Sequence, residues 1–429
     1  MRIAMISAHS SPLAALGGKE AGGMNVYIRE LSRELVSCGL SIDIFTRTQE
    51  PNAPMVITPD RGVRVINLRA GPPVPYNKNW LLEHLPEFVS RIRCFADGED
   101  LTYDLIHSHY WLSGEAALPL RHAWGIPVIH MFHTLGAMKN RIARGAEEQE
   151  TTKRMEIESR VARDVDMIVA ATPQDRADLV WHCGADQQHI RVVPCGVDLN
   201  RFRPQEQKVA RAHLDLPPTP QRLILLVGRI EPLKGIDDLI HAIALLRERH
   251  PEWDDQMMAL VVGGASEYER KQWNTEQQRL HDLRTKLGVA DAIRFVGAQS
   301  QDQLAHFYAA ADIVTMPSHY ESFGMAALEG LASGRPVVAT SAGGPSFIVE
   351  DGKSGFLTQP NNPVMLANHL EQILTDQTLQ THMGDAARER AQRFGWDHIA
   401  CDILRVYGET LDATTLRMAK EIRQRLKAC

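Results

Sequence analysis

Residues 318–340 read SHYESFGMAALEGLASGRPVVAT. Two carboxylates, Glu321 and Glu329, stand on either side of Phe323 and Gly324, just after the apolar run DIVTMPS. A helix starting near Gly324 would point the N–H groups of Phe323, Gly324 and Met325 at an anion, at the positive end of its dipole. Glu321 then lies in the loop before the helix and Glu329 inside it, so the two are not equivalent. Carboxylates accept hydrogen bonds from paired hydroxyls, as sugars present them. Glu329 suits a ribose and Glu321 the sugar beyond the phosphates. The plain alternative is dipole complement for Glu321 and a solvated face for Glu329.

A second pair of charges has the opposite sign. In VGRIEPLKG, Arg229 and Lys234 follow an apolar strand and precede a helix. Two cations at a strand's carboxyl end suit a diphosphate, Arg as a fork and Lys as a point charge. Near the start, GGMNVY places Gly22 and Gly23 between a strand and a helix, where backbone can approach a ligand closely. It does not match G-x-G-x-x-G, so a nicotinamide dinucleotide is weakly supported.

His9, His107, His109, His130 and His133 fall at strand ends of the first half. His107 and His109 share one strand face, yet no carboxylate or cysteine cluster completes a ligand set, so no metal is expected. A hydrogen-bonding or proton-handling role is expected instead, with His133 in HTLGAMKN as its bearer.

These residues need a scaffold, and the pattern supplies one. Short apolar runs (RIAMIS, SIDIFT, VRVINL, YDLIHSHY, IPVIHMFHT, VDMIVAAT, IRVVPCG) alternate with helix-length segments, pause near residues 200–220, and resume with RLILLVGR, MMALVVGG, AIRFVGA, DIVTMPS and RPVVAT. That rhythm predicts two doubly wound α/β domains built on parallel sheets. Ligands of such sheets lie at the strands' carboxyl ends, which makes a cleft between the domains the default site. The expected boundaries are 1–205, 206–400 and a C-terminal helix 401–429.

The 429 residues, 44% hydrophobic and 23% charged, describe an ordinary globular chain too long for one core. A net charge of −6 gives no reason to expect nucleic acid or an acidic membrane surface. MRIAMISAHS reads as a buried strand rather than a secretory signal, and no apolar stretch is long enough to span a bilayer. Six scattered cysteines without a C-x-x-C pair read as reduced thiols in a cytoplasmic protein.

Taken together, GGMNVY near the start, GRIEPLKG opening the second half, and Glu321 with Glu329 resemble the family 4 retaining glycosyltransferases, over nearly the whole chain. The resemblance implies the GT-B fold, two Rossmann-like domains facing across a cleft, with the last helix crossing back to the first. It implies transfer of a sugar from a nucleotide diphosphate, UDP-GlcNAc or UDP-glucose, with no catalytic metal or other cofactor. Arg229 and Lys234 would then hold the diphosphate, Glu329 the ribose, Glu321 the donor sugar and His133 its 6-hydroxyl side. Gly23, Phe323, Gly324 and Met325 complete the donor set, and Gln299 meets the base through its backbone.

MISAHSSP, EAGGMNVYIREL, YDLIHSHYWLSG and HTLGAMKN look most like the branch that glycosylates 1D-myo-inositol 3-phosphate, and less closely like the sucrose-phosphate synthases. The implied acceptor is therefore a phosphorylated polyol or sugar, inositol phosphate ahead of fructose 6-phosphate. Its implied contacts are His9, Asn25, Lys78, Tyr110, Thr134, Lys139 and Arg154. Glu20, where that branch carries Asp, and Met24, where the synthases carry Gln, depart from both patterns. A homodimer is left open. The rival readings are a hydrolysing UDP-GlcNAc 2-epimerase of the same fold and a non-catalytic sugar-nucleotide sensor.

Overall fold

The structure, a computed structural model, describes residues 1–14, 22–217 and 222–428, with side chains up to residue 415. Glu20 lies outside the described residues. The chain divides into two compact units. Unit 1 holds Met1–Ala14, Gly23–Pro194 and Trp396–Cys429, and unit 2 is built on Cys195–Gly395.

Unit 1 contains β1 (Arg2–Ile6), β2 (Ser41–Arg47), β3 (Val56–Asp60), β4 (Val63–Leu68), β5 (Leu105–His109), β6 (Val128–Met131), β7 (Met167–Ala170) and β8 (Ile190–Val192). Their order across the sheet is β3-β4-β2-β1-β5-β6-β7-β8. Every neighbouring pair is parallel except β3 with β4. That antiparallel edge strand corrects the expectation of a wholly parallel sheet. Its sequence, VITPD, contains Pro59, which is tolerated at a sheet edge and masks the strand signal.

Unit 2 contains β9 (Arg222–Val227), β10 (Met257–Val262), β11 (Ile293–Gly297), β12 (Ile313–Met316), β13 (Val337–Thr340) and β14 (Gly355–Thr358). They run in the order β11-β10-β9-β12-β13-β14, all parallel. Ile224, Leu226, Ala259, Val261 and Ile313 pack with Ile240, Ile243 and Leu246 of the Ile236–Arg249 helix into one core. Runs apolar on both faces are what a sheet covered on both sides requires.

The expected boundary at 205/206 moves to Pro194/Cys195. Residues 195–205 belong with unit 2 because that unit holds their backbone. Val197 N–H donates to Phe394 O at 2.8 Å, and the Arg388 guanidinium donates to Phe202 O at 2.9 Å and Leu199 O at 3.2 Å. The chain re-enters unit 1 at Trp396 rather than 401. There the Trp396–Ala428 helix lies on the Gly23–Ser37 helix, with the Trp396 ring 5.6 Å from that of Tyr27. Among the described residues, no helix is long and apolar enough to cross a membrane.

Candidate functional site

In unit 2 the strand order reverses between β9 and β12, the place where doubly wound sheets bind ligands. The loop after β9 carries Arg229 and a single 3-10 turn, Pro232–Lys234. The loop after β12 carries Glu321, Phe323 and Gly324. Two backbone contacts lock these loops together. His319 N–H donates to Leu233 O at 2.8 Å. Gly235, at φ +61°, passes so close that a Cβ would stand 2.0 Å from Pro317 O. Lys234 Nζ thereby meets the Glu321 carboxylate in an ion pair. Arg229 Nη1 lies 2.7 Å from Glu231 Oε1, a partner the sequence reading did not assign it.

Glu321 is also held by the loop after β13. Gly344 N–H donates to Glu321 O at 2.8 Å, and a Cβ on Gly343, at φ +84°, would stand 2.2 Å from that oxygen. Gly324, at φ +102°, precedes the Met325–Ala332 helix, where the sequence predicts the helix to start. Glu329 does not lie on a solvated face. It is 7% exposed and accepts a hydrogen bond from Tyr308 Oη at 2.7 Å. Burial raises its carboxyl to about 7, with the Tyr308 hydrogen bond opposing. Gln299 lies half-buried between β11 and the Gln301–Ala310 helix.

In unit 1 the order reverses between β1 and β5. His9 follows β1 and Tyr110 follows β5, and their rings meet at a tilt of 34° with centroids 4.3 Å apart. Tyr110 adopts φ +74° and His133, beyond β6, φ +60°. Left-handed backbone at non-glycine residues costs energy and collects at functional sites. Asn25 spends its Nδ2 hydrogens on Ser10 Oγ at 2.7 Å and Ser11 O at 2.6 Å, so it ties down the loop after β1. Gly23 opens the helix that carries it.

Five of the seven expected acceptor residues converge on one another. Thr151 caps the Thr152–Asp164 helix, its side chain accepting from Arg154 N. That places Arg154 in the first turn with Glu158 one turn on. Arg154 is fully buried. Its guanidinium reaches Glu158 Oε1 at 2.7 Å, Tyr110 Oη at 3.0 Å and Thr134 O at 2.9 Å. It also meets Glu150 Oε1 at 2.8 Å. Lys139 Nζ stands 3.0 Å and Lys78 Nζ 3.2 Å from the same Glu150 oxygen. Burial would raise the Glu150 carboxyl, but Arg154, Lys78 and Lys139 hold it down at about 2. Burial likewise disfavours the Lys78 ammonium, and Tyr110 and Glu150 more than offset it.

The strand-end histidines form a chain. Tyr407 of the C-terminal helix lies 2.8 Å from His107 Nδ1. The His107 and His109 rings are 4.3 Å apart, and His109 Nδ1 is 3.1 Å from His133 Nε2. Burial pushes His107 and His133 down to about 3, and His109 well below its usual value. An imidazole so depressed stays neutral near pH 7, which narrows the expected role of His133 to hydrogen bonding. Among the described residues no group of three His, Cys, Asp or Glu side chains could hold a metal ion.

Glu150, Glu158, Glu231, Tyr308 and Tyr407 are partners the sequence reading missed. Glu150 stands in AEEQETT, an acidic run that looks like a solvated surface. Tyr308 sits 21 residues before Glu329, and nothing in their spacing pairs them.

Residues 21–201 match the family described as Glycosyltransferase Family 4, and residues 213–390 match Glycosyl transferases group 1. A D-inositol 3-phosphate glycosyltransferase 2 from Catenulispora acidiphila is 41% identical over 412 residues, covering 96% of this chain and 95% of that one. A D-inositol 3-phosphate glycosyltransferase from Corynebacterium diphtheriae is 38% identical, covering 98% and 96%. Among solved structures, sucrose-phosphate synthase from Thermosynechococcus elongatus superposes with a TM-score of 0.87 at 34% identity, covering 96% of this chain and 99% of that one.

Proposed function

Because this chain belongs to the family 4 glycosyltransferases and has their GT-B class of fold, two Rossmann-like α/β units, we propose that it moves a sugar, with retention, from a UDP-linked donor to 1D-myo-inositol 3-phosphate. The observation that carries the acceptor is the convergence of Lys78, Lys139 and Arg154 on one carboxylate oxygen, beside Tyr110 and Thr134. Three cations around one oxygen suit a phosphate. The names of the relatives from Catenulispora and Corynebacterium point to the same acceptor class.

On the donor side, Arg229, Lys234 and the N–H groups opening the Met325–Ala332 helix take the diphosphate. Glu329 takes the ribose, Glu321 the transferred sugar, His133 its 6-hydroxyl side and the Gln299 backbone the base. Among the described residues we assign no carboxylate the role of nucleophile, Glu321 being given to binding the sugar, and the route we favour is front-face. The bond from the anomeric carbon to the diphosphate oxygen breaks, and the acceptor oxygen bonds to that carbon on the same face. The acceptor's proton passes to the departing diphosphate oxygen. The protein's share is electrostatic: fixed positive groups stabilise the charge that develops on the leaving group.

A second reading, transfer to fructose 6-phosphate, is favoured by the likeness to the sucrose-phosphate synthase. A grid of nucleotide sugars against inositol 3-phosphate, fructose 6-phosphate and their unphosphorylated forms, scored by nucleotide diphosphate release, separates the two. Equal rates with unphosphorylated acceptors would reject the phosphate reading. Epimer formation without any acceptor would reject transfer.

A further inference from the structure

Glu150 is not part of any expected contact, yet it occupies the centre of the acceptor cluster. Its Oε1 alone lies 2.8 Å from Arg154, 3.0 Å from Lys139 and 3.2 Å from Lys78. Three cations gathered this closely repel one another unless an anion sits between them. We propose that Glu150 is a resident stand-in for the acceptor's phosphate: its carboxylate fills the oxyanion position in the free enzyme and is displaced when a phosphorylated acceptor arrives. This rests on the phosphorylated-acceptor reading and adds a residue that sets its selectivity.

Two features make the carboxylate displaceable. The backbone of Glu150 is clamped independently of its side chain. Its N–H donates to Asn140 Oδ1 at 2.6 Å, and Asn140 Nδ2 donates to its carbonyl at 3.2 Å. The carboxylate can therefore swing away while the segment stays in place. Arg154 also loses nothing it needs for position, because Glu158, Tyr110 and Thr134 still hold it. Lys78 and Lys139 reach the cluster from partly exposed side chains, 23% and 26%, which gives a ligand a side from which to approach the 9% exposed carboxylate.

The consequence is a threshold. A neutral hydroxyl cannot replace a carboxylate among three cations, and a singly charged ligand only exchanges like for like. A phosphate dianion brings more charge and several oxygens, so it alone gains from the exchange. The selectivity is thus bought at some cost in phosphate affinity.

Glu150→Gln keeps the shape and removes the charge. Titrated calorimetrically with inorganic phosphate, it should bind at least about tenfold more tightly than wild type, the worth of one charge-assisted hydrogen bond. Its KM for the phosphorylated acceptor should fall and its donor KM stay unchanged. Glu150→Asp keeps the charge but shortens the reach, and should fall between the two. Phosphate binding that is equal or weaker in Glu150→Gln, at wild-type Tm, overturns the proposal. Should Glu150→Gln fail to fold, equal or weaker binding by Glu150→Asp does the same. Wild-type turnover indifferent to the acceptor's phosphate would instead overturn the function proposed above. A wild-type preference for phosphate, with no gain in either variant, removes the stand-in alone.

Discussion

Lys234 and Glu321 form an ion pair, so a donor bound as proposed would have to part them. Lys234→Ala should lower kcat by roughly 10²-fold or more, the scale of losing a fixed oxyanion donor; near-normal steady-state turnover in a folded variant would remove Lys234 from the leaving-group site. Glu329 behaves differently because it is buried. With its carboxyl near 7 against about 4.3 when unfolded, the native state holds the proton more tightly. The stability this gives is full below about pH 4.3 and is lost as pH rises through 7. Glu329→Gln should therefore gain Tm over wild type between pH 5 and pH 8. On the proposed role of the ionised Glu329 as acceptor for the ribose hydroxyls, binding of UDP should strengthen through the same range in wild type and stay flat in the variant. Glu321→Gln should leave UDP affinity nearly intact and lower turnover. Arg154 asks for another kind of test. Its fully buried guanidinium is pledged to Glu158, Tyr110, Thr134 and Glu150. Arg154→Ala should cost about 3–5 kcal/mol by stranding buried charge, which thermal or urea unfolding would register. Lys139→Gln is the cleaner probe and should raise acceptor KM alone.

At the scale of elements, the site depends on loops that touch through backbone. Gly343 combines a left-handed backbone with a near approach to Glu321 O. Gly343→Ala should displace the Glu321 loop and cut kcat at least tenfold, at a cost of about 1–3 kcal/mol for the strained residue. Wild-type kcat in that variant would show the loop to be dispensable. Much of this scale was legible in the sequence. The twelve apolar runs read as strands are all present, and the helix after Gly324 starts where its residues predict. The two strands that escaped, β3 and β14, are edge strands, one interrupted by Pro59 and the other only four residues long. The acceptor residues could be named but not assembled. Glu150 shows why: its acidic run has the composition of a solvated loop, and only the fold brings Lys78 and Lys139 to it.

For the whole molecule, the alternation of strand and helix was plain, while the boundary was not. The pause near residues 200–220 suggests a break, yet the chain joins unit 2 at Cys195. What pulls residues 195–205 across is pairing with Phe394 and Arg388, contacts from almost two hundred residues away that no local pattern reveals. The return at Trp396 has a consequence for how the protein is made. Unit 2 is essentially one uninterrupted stretch, whereas unit 1 needs Trp396 against Tyr27 and Tyr407 against His107. During synthesis, the part of unit 1 that precedes unit 2 must wait for the helix that follows it. Nascent chains stalled with residue 395 outside the ribosome should show unit 2 resistant to protease and unit 1 cleavable, and protection of unit 1 should appear only once Tyr407 has emerged. The histidine chain leading to His133 would then be assembled only after the whole of unit 2 has been translated, so that this end of unit 1 is withheld until the Trp396–Ala428 helix arrives.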